Sequence, residues 1–428
     1  MAVELQPMFL ARVKRRIENH KFYFAARQIL KTLRELNVPD RKVVSLKPEG
    51  IPKGNVLLSY VIDPFLLKPG QPVSNAHTIH WESLQMARTF LDMGYCVDVI
   101  SYRNDTFKPA KDYSFLISSR LNLERLAQLL NKDCVKVMHI TTAHWLFHMS
   151  AQHRRLLALR ERRGVSLRLR KIAEPNWAIE HADCATILGN KFTISTYSYA
   201  NKSMLSIPNS TAFICPWPSE KDFESVRKHF LWFGSGGLVH KGLDLVLEAF
   251  AQMPEYHLTV CGPIDREVEF KLAYFKELYQ TPNIQTVGWV DVTSPKFREI
   301  SNNCIGLIYP SCSEGQSGAV VTCLHAGLIP IISYESGLDV DDFGFILKTC
   351  TIEEIKTSVQ MVATISSGEL QSMARKGWEF ARAHHTRDRF AEEYRSAVLE
   401  IKSTYSNGKT PGEFKQLPAS SDQDPVRI

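Results

Sequence analysis

The chain lacks the features that mark several protein classes. No stretch approaches the roughly 18 to 20 uninterrupted apolar residues that a membrane-spanning helix requires. The start, MAVELQPMFLARVKRR, shows no apolar core followed by a small-residue cleavage site, so a secretory leader is not expected. The 9 cysteines form no CxxC pair, and most sit inside apolar runs such as Tyr95-Cys96-Val97 and Val260-Cys261-Gly262. That argues against a zinc site or a disulfide framework and points to a reducing cytoplasm. There is no Walker loop, no GxGxxG fingerprint and no clear Asp-x-Asp metal motif; Asp339 to Asp342 reads as a loop run. With 44% hydrophobic and 23% charged residues, the composition is that of a folded protein, not a disordered one. At 428 residues, two or three domains are expected.

The net charge of +7 is unevenly spread. Arg12, Lys14, Arg15, Arg16, Lys21, Arg27, Lys31 and Arg34 face only Glu18 and Glu35 between residues 9 and 37. A second run holds Arg154, Arg155, Arg160, Arg162, Arg163, Arg168, Arg170 and Lys171 against only Glu161. Two readings are open: solvated helix faces, or attraction to an anionic partner such as a membrane surface or a phosphorylated acceptor. Nucleic acid is not expected, because neither run interleaves aromatics as a base-stacking platform would.

Along the chain, Ala26, Ile29, Leu33 and Leu36 recur at helical spacing, so residues 8 to 37 read as helix, and a polar stretch follows to about Gly54. Near-continuous apolar runs at 55–61, 96–101, 115–117, 135–140 and 182–188 then alternate with helical patterns. Such runs are the signature of parallel strands covered on both faces. Pro208, Pro216 and Pro218 interrupt this pattern, which restarts with strands at 229–233, 257–261, 284–287, 305–309 and 329–333. The result is α/β architecture twice over, behind a basic arm.

Two segments could carry chemistry. Phe233-Gly234-Ser235-Gly236-Gly237-Leu238-Val239-His240-Lys241-Gly242 lies between a strand and a helix. Glycines such as Gly236 and Gly237 let a ligand approach the backbone, the amides near the helix start favour a phosphate, and Lys241 adds a full positive charge. The alternative is a tight structural turn. In Tyr309-Pro310-Ser311-Cys312-Ser313-Glu314-Gly315-Gln316-Ser317-Gly318, a buried strand ends in a polar loop carrying Glu314, and an apolar helix follows. That puts Glu314 and the amides of Gln316, Ser317 and Gly318 at the carboxyl edge of a parallel sheet, where ligands of such folds bind. A carboxylate there suits sugar or ribose hydroxyls; the alternative is a charge that satisfies its own helix.

Together and in this order, the two segments resemble the nucleotide-sugar site of GT-B glycosyltransferases of the retaining family 4 type, over roughly residues 55 to 400. Further matches are Gly288-Trp289-Val290 and His325-Ala326-Gly327-Leu328-Ile329-Pro330-Ile331-Ile332 in the second half. In the first half they are Trp81 to Ala87 with Gly94-Tyr95, and Ile207-Pro208-Asn209-Ser210. The chain departs from the family at three places. The phosphate-binding Arg falls on Ser235, or on Gly236 counting back from Lys241; the second acid of the Glu-x7-Glu pair falls on Thr322; and the last glycine of Glu-Gly-x-Gly is Ser317.

The resemblance implies a GT-B fold, with two Rossmann-like doubly wound domains facing a cleft. Residues 1–50 form the basic helical extension, 51–217 an acceptor domain and 218–385 a nucleotide-sugar domain. Residues 386–404 form a helix packing back across the cleft, and 405–428 a disordered tail. It also implies transfer of a sugar from a nucleotide-diphospho-sugar donor to a glycan or lipid-linked acceptor, with retention and no further cofactor. Lys241, Gly236, Gly237, Gln316, Ser317, Gly318 and Thr322 would hold the donor, and Glu314 would orient the sugar. A histidine after the fourth apolar run is implied as well; His139, His144 and His148 are available, with His77 and His80 in the first loop. His144 is favoured because it lies beyond the strand, whereas His139 sits inside it. The expected location is cytoplasmic, with peripheral contact at the inner membrane face through the basic runs. Ser235 and Thr322 favour a rival reading, a non-catalytic protein of the same fold that binds a saccharide or a partner transferase.

Overall fold

The computed structural model describes residues 38–406 apart from 76 and 213. The basic helix expected over 8–37 and the tail beyond 406 lie outside the described residues. Two sheets form the framework. The first has strand order β1-β3-β2-β4-β5-β6-β7, from β1 (Val43–Leu46), β2 (Asn55–Tyr60), β3 (Cys96–Ser101), β4 (Phe115–Ser118), β5 (Val135–Ile140), β6 (Cys184–Ile187) and β7 (Met204–Ser206). Every pairing is parallel except β1 with β3. The second runs β10-β9-β8-β11-β12-β13 and is wholly parallel, from β8 (His229–Phe233), β9 (His257–Cys261), β10 (Ile284–Gly288), β11 (Gly306–Tyr309), β12 (Ile329–Ser333) and β13 (Phe345–Leu347). This is the 3-2-1-4-5-6 order of a doubly wound dinucleotide-type sheet.

The apolar runs become strands because both faces of each sheet are covered. Val56, Leu58, Val97 and Val99 point into one layer and Leu57, Ile100, Leu116 and Ile140 into the other. In the second sheet, Phe230, Trp232, Leu258 and Val260 face one layer, and Leu231, Cys261, Leu307 and Tyr309 the opposite one. Three strands escaped the sequence reading: β1, β7 and β13 are only three or four residues long and lie at or beside sheet edges. Residues 43–46, expected within the basic extension of residues 1–50, are therefore part of the first sheet.

Four helices position the site, and two of them, the second and the last, tie the halves together. Helix α1 (Ile79–Asp92) buries Met86, Ala87 and Phe90 under the first sheet. Helix α2 (Trp145–Arg163) starts beyond β5 and ends at Gly164, whose φ of 67° suits a left-handed cap. Its far end leaves the first domain: Leu159 is fully buried in the core of the second. Helix α3 (Leu243–Phe250) follows the glycine loop there, and the last long helix, α4 (Arg387–Ser406), returns to the first domain. There Phe390, Tyr394, Val398 and Ile401 join Phe90 in the core.

The second basic run is largely a staple between domains, which corrects the reading of it as an open patch for an anionic surface. Arg162 reaches the fully buried Asp244 at 2.7 Å and Glu248 at 3.1 Å. Arg163 meets Glu277 at 2.7 Å, Arg168 meets Glu269 at 2.9 Å, and Arg155 donates to the Pro310 carbonyl at 3.0 Å. Burial pushes the Asp244 carboxyl up, and Arg155 and Arg162 work against it. Among the described residues no helix is long and apolar enough to cross a membrane.

Candidate functional site

Both chemistry-bearing segments leave the second sheet beside the point where its strand order reverses. The glycine loop follows β8 and the Glu314 loop follows β11, and these two strands are neighbours. Chains after such strands diverge to opposite faces, which opens a crevice at the carboxyl edge of the sheet. In the glycine loop, Gly237 adopts φ 91°, and Lys241 N–H donates to its carbonyl at 2.9 Å, so a helical turn precedes α3. The first amides of that turn point to one carboxylate: Gly237 N–H and Leu238 N–H donate to Glu267 Oε1 at 2.5 and 3.2 Å.

The turn aims Lys241 into the crevice. Its ammonium lies 2.6 Å from Glu314 Oε1 and donates to Tyr309 Oη at 2.6 Å, with the side chain 7% exposed. Tyr309 and Ser311 hydroxyls donate to the same carboxylate oxygen at 2.9 and 3.1 Å, and His240 Nε2 stands 3.6 Å away. Burial opposes the charge on both partners. The attraction wins: Lys241 and His240 hold the Glu314 carboxyl well below the usual carboxylate range, and Glu314 with Tyr309 holds Lys241 above the usual lysine value. The pair is therefore ionised at neutral pH. It offers a cation and a carboxylate with fixed positions, the equipment for a phosphate and for hydroxyl groups.

The first domain closes over this cluster. His148, one turn into α2, donates from Nε2 to the Lys171 carbonyl at 2.9 Å, which leaves Nδ1 to accept from Ser313 Oγ at 3.0 Å. Burial, with His240 beside it, pushes the His148 imidazole down to about 4, so it is neutral. Ala143 N–H donates to the Glu314 carbonyl at 3.1 Å and Thr193 Oγ1 to the Gly315 carbonyl at 3.0 Å. Gly315 fits only because it has no side chain: a Cβ there would lie 2.4 Å from the Thr141 carbonyl oxygen. A cavity of about 540 Å³ opens on the first-domain side of this contact, at the ends of β4 and β5. His144, Trp145, Tyr197, Arg103 and Arg120 are among the residues lining it.

Of the site residues read from the sequence, the structure brings Lys241 and Glu314 into direct contact, with Gly236 and Gly237 in the adjoining loop. Gln316 and Gly318 lie against the interdomain segment. Asn209 N–H donates to Gln316 Oε1 at 2.6 Å, and Asn209 Nδ2 donates to the Gln316 carbonyl at 3.0 Å. Ser317 N–H is taken by the Ser336 carbonyl at 2.9 Å, and the Thr322 hydroxyl bonds back to the Gly318 carbonyl at 2.7 Å. His144 caps α2 and faces the first-domain cavity, not the Glu314 carboxylate; its Nε2 meets Tyr199 Oη at 3.0 Å, which in turn donates to Glu180 at 2.7 Å. His139 is fully buried against Thr186 at 2.9 Å, and desolvation holds it down to about 4.

Sequence reasoning passed over Tyr309, Ser313, Lys171 and Glu267. Tyr309 read as the end of a buried strand, Lys171 as one charge in a run, and Glu267 belongs to no motif. Among the described residues, no group of three or more His, Cys, Asp or Glu could hold a metal ion. In the loop 339–342, Asp339 accepts from Asn190 and Asp342 pairs with Lys376.

No protein-family profile matches the chain, and no curated protein matches it by sequence. Solved structures do. A sucrose-phosphate synthase from Thermosynechococcus elongatus is similar at TM-score 0.58 and 13% identity, over 83% of this chain and 100% of that one. A glycosyltransferase from Rickettsia africae is similar at TM-score 0.54 and 10% identity, over 83% and 100%. HepE of Anabaena in complex with UDP is similar at TM-score 0.53 and 11% identity, over 82% and 100%. The fold is GT-B: two parallel-rich Rossmann-like domains facing one another.

Proposed function

We propose that the chain is a glycosyltransferase that uses a nucleotide-diphospho-sugar donor. The observation that carries this reading is the ionised Lys241–Glu314 pair at the switch point of the second sheet, opposite a first-domain cavity. The donor lies mainly on the second domain, and the acceptor, a glycan or lipid-linked sugar, enters the cavity lined by His144. As the bond to the sugar breaks, negative charge grows on the departing nucleoside diphosphate. In this reading Lys241, and the glycine-loop amides once Glu267 leaves them, stabilise it, and a fixed cation costs no reorganisation at that moment. Glu314 orients sugar hydroxyls, His144 is held by the Tyr199–Glu180 relay towards the acceptor, and configuration is retained. The likeness to HepE, whose structure holds UDP, supports a nucleotide as the donor's handle.

A second reading has its own observations. Gly315 packs directly on the first domain, Thr322 spends its hydroxyl on its own helix, and Glu267 fills the loop amides. A transferase must part the domains at Gly315 to admit a sugar; a non-catalytic binding protein need not. A thermal-shift panel of UDP, GDP, ADP and their sugars tests the proposal. Stabilisation by one base, lost in Lys241→Ala, supports it, and the absence of a shift with every nucleotide counts against it. Nucleotide binding without turnover selects the second reading.

A further inference from the structure

Lys241 has little charge to spare. Its ammonium is matched one to one by Glu314, so the pair as a whole is neutral. A nucleoside diphosphate carries more than one negative charge, and a site for it needs another cation. One comes from the segment after α2. The side chain of Lys171 runs across the face of Gly237: a Cβ on that glycine would lie 2.9 Å from Lys171 Cγ and 3.1 Å from Cε. Its carbonyl is fixed by His148 Nε2 at 2.9 Å and by Gln152 Nε2, so the backbone that launches the side chain is pinned to α2. Yet Lys171 Nζ has no hydrogen bond or ion pair among the described residues. Burial and the neighbouring Lys241 push its ammonium below the usual lysine value, the condition a bound anion would relieve.

Beneath this lysine sit the two amides that donate to Glu267, a carboxylate in the position where a phosphate oxygen would satisfy the same donors. Arg170 Nε stands 3.9 Å from the other oxygen of Glu267, so the carboxylate has a cation to turn to if it leaves the amides. We propose that Lys171 is the second cation of the diphosphate seat, delivered to the glycine loop from the first-domain side, and that Glu267 holds that seat until the ligand displaces it. The proposal rests on the nucleotide-sugar reading of the site.

The experiment is calorimetric titration of the full chain with UDP, GDP, ADP and inorganic pyrophosphate. Lys171→Met keeps the methylenes on Gly237 and removes the charge, Lys171→Arg keeps the charge, and Glu267→Gln removes the competing anion; thermal melts confirm that each is folded. K171M should weaken nucleoside diphosphate and pyrophosphate binding by about tenfold to a hundredfold, the range for one charged hydrogen bond. K171R should bind like the wild type, and E267Q should tighten both by about tenfold. Equal nucleotide affinity in wild type and K171M overturns the role of Lys171 and leaves the transferase reading standing. Unchanged affinity in E267Q overturns the role of Glu267. Pyrophosphate binding that follows the expected order without binding of any nucleotide keeps the seat and removes the nucleotide reading. Failure of every variant to bind any anion overturns both.

Discussion

Replacing Lys241 by methionine removes the positive half of the central ion pair and keeps most of the aliphatic volume. Breaking a buried pair from one side costs about 3 to 5 kcal/mol, because a carboxylate is left in a poor solvent without its counter-charge. Here the lower end applies: the Glu314 side chain is 19% exposed, and the Tyr309 and Ser311 hydroxyls still donate to it. Lys241→Met should therefore destabilise the protein by about 3 kcal/mol at pH 7. Glu314→Gln, which leaves the buried ammonium facing a neutral amide, should cost a similar amount. The double variant should cost no more than either single change, a coupling of about 3 kcal/mol, since neither charge is then stranded. The pH dependence follows from the Glu314 shift. A carboxylate held well below its unfolded value contributes stability above that unfolded value and loses it as pH falls through the folded one. In K241M the carboxylate loses the cation that holds it down, so this pH-dependent contribution should shrink. Urea unfolding followed by tryptophan fluorescence between pH 4 and pH 8 measures all of this, with Trp232 buried beside the loop, its Nε1–H donating to the Lys241 carbonyl. A cost below about 1 kcal/mol with no coupling between the two sites would refute the reasoning.

Three further perturbations probe other parts of the account. Arg162→Leu strands the buried Asp244 and should destabilise by about 3 kcal/mol, with faster proteolysis in 164–177; a neutral result would show that the staple is ornamental. Burial pushes Lys221 down to about 7, with its amine donating to the Ser301 and Gly327 carbonyls. Because the unfolded chain then binds more protons between about pH 7 and 10.5, stability should rise over that range, and a Lys221→Met variant whose melting curve rises just as steeply would exclude Lys221 as the source. His144→Ala should reduce turnover by at least about tenfold without unfolding the protein; if His148→Ala loses activity instead, the histidine beside Ser313 carries the role.

Much of the fold is legible because buried parallel strands leave a continuous apolar signal, as in Asn55 to Tyr60 or Ile329 to Ser333. Strands β1, β7 and β13 are not, since three or four half-buried residues at an edge carry no period to detect. The two site loops are legible from local chemistry, a glycine turn ending in a lysine and a carboxylate after a strand. What those groups touch is not. Lys171 and the run around it look like a solvated cationic face, because Asp244, Glu267, Glu269 and Glu277 lie far along the chain. The start of α2, which turns His148 toward Ser313 and His144 toward the cavity, has no signal in the sequence.

The central claim, that the crevice around Lys241 and Glu314 cleaves a nucleotide-diphospho-sugar, is tested most directly by release of nucleoside diphosphate. Wild-type protein and Glu314→Gln would each be incubated with UDP-, GDP- and ADP-sugars, and the free nucleotide quantified over time. The account predicts release from donors of one base by the wild type, reduced at least about tenfold in a folded E314Q protein. Equal release by both proteins, or none from any donor, would contradict it.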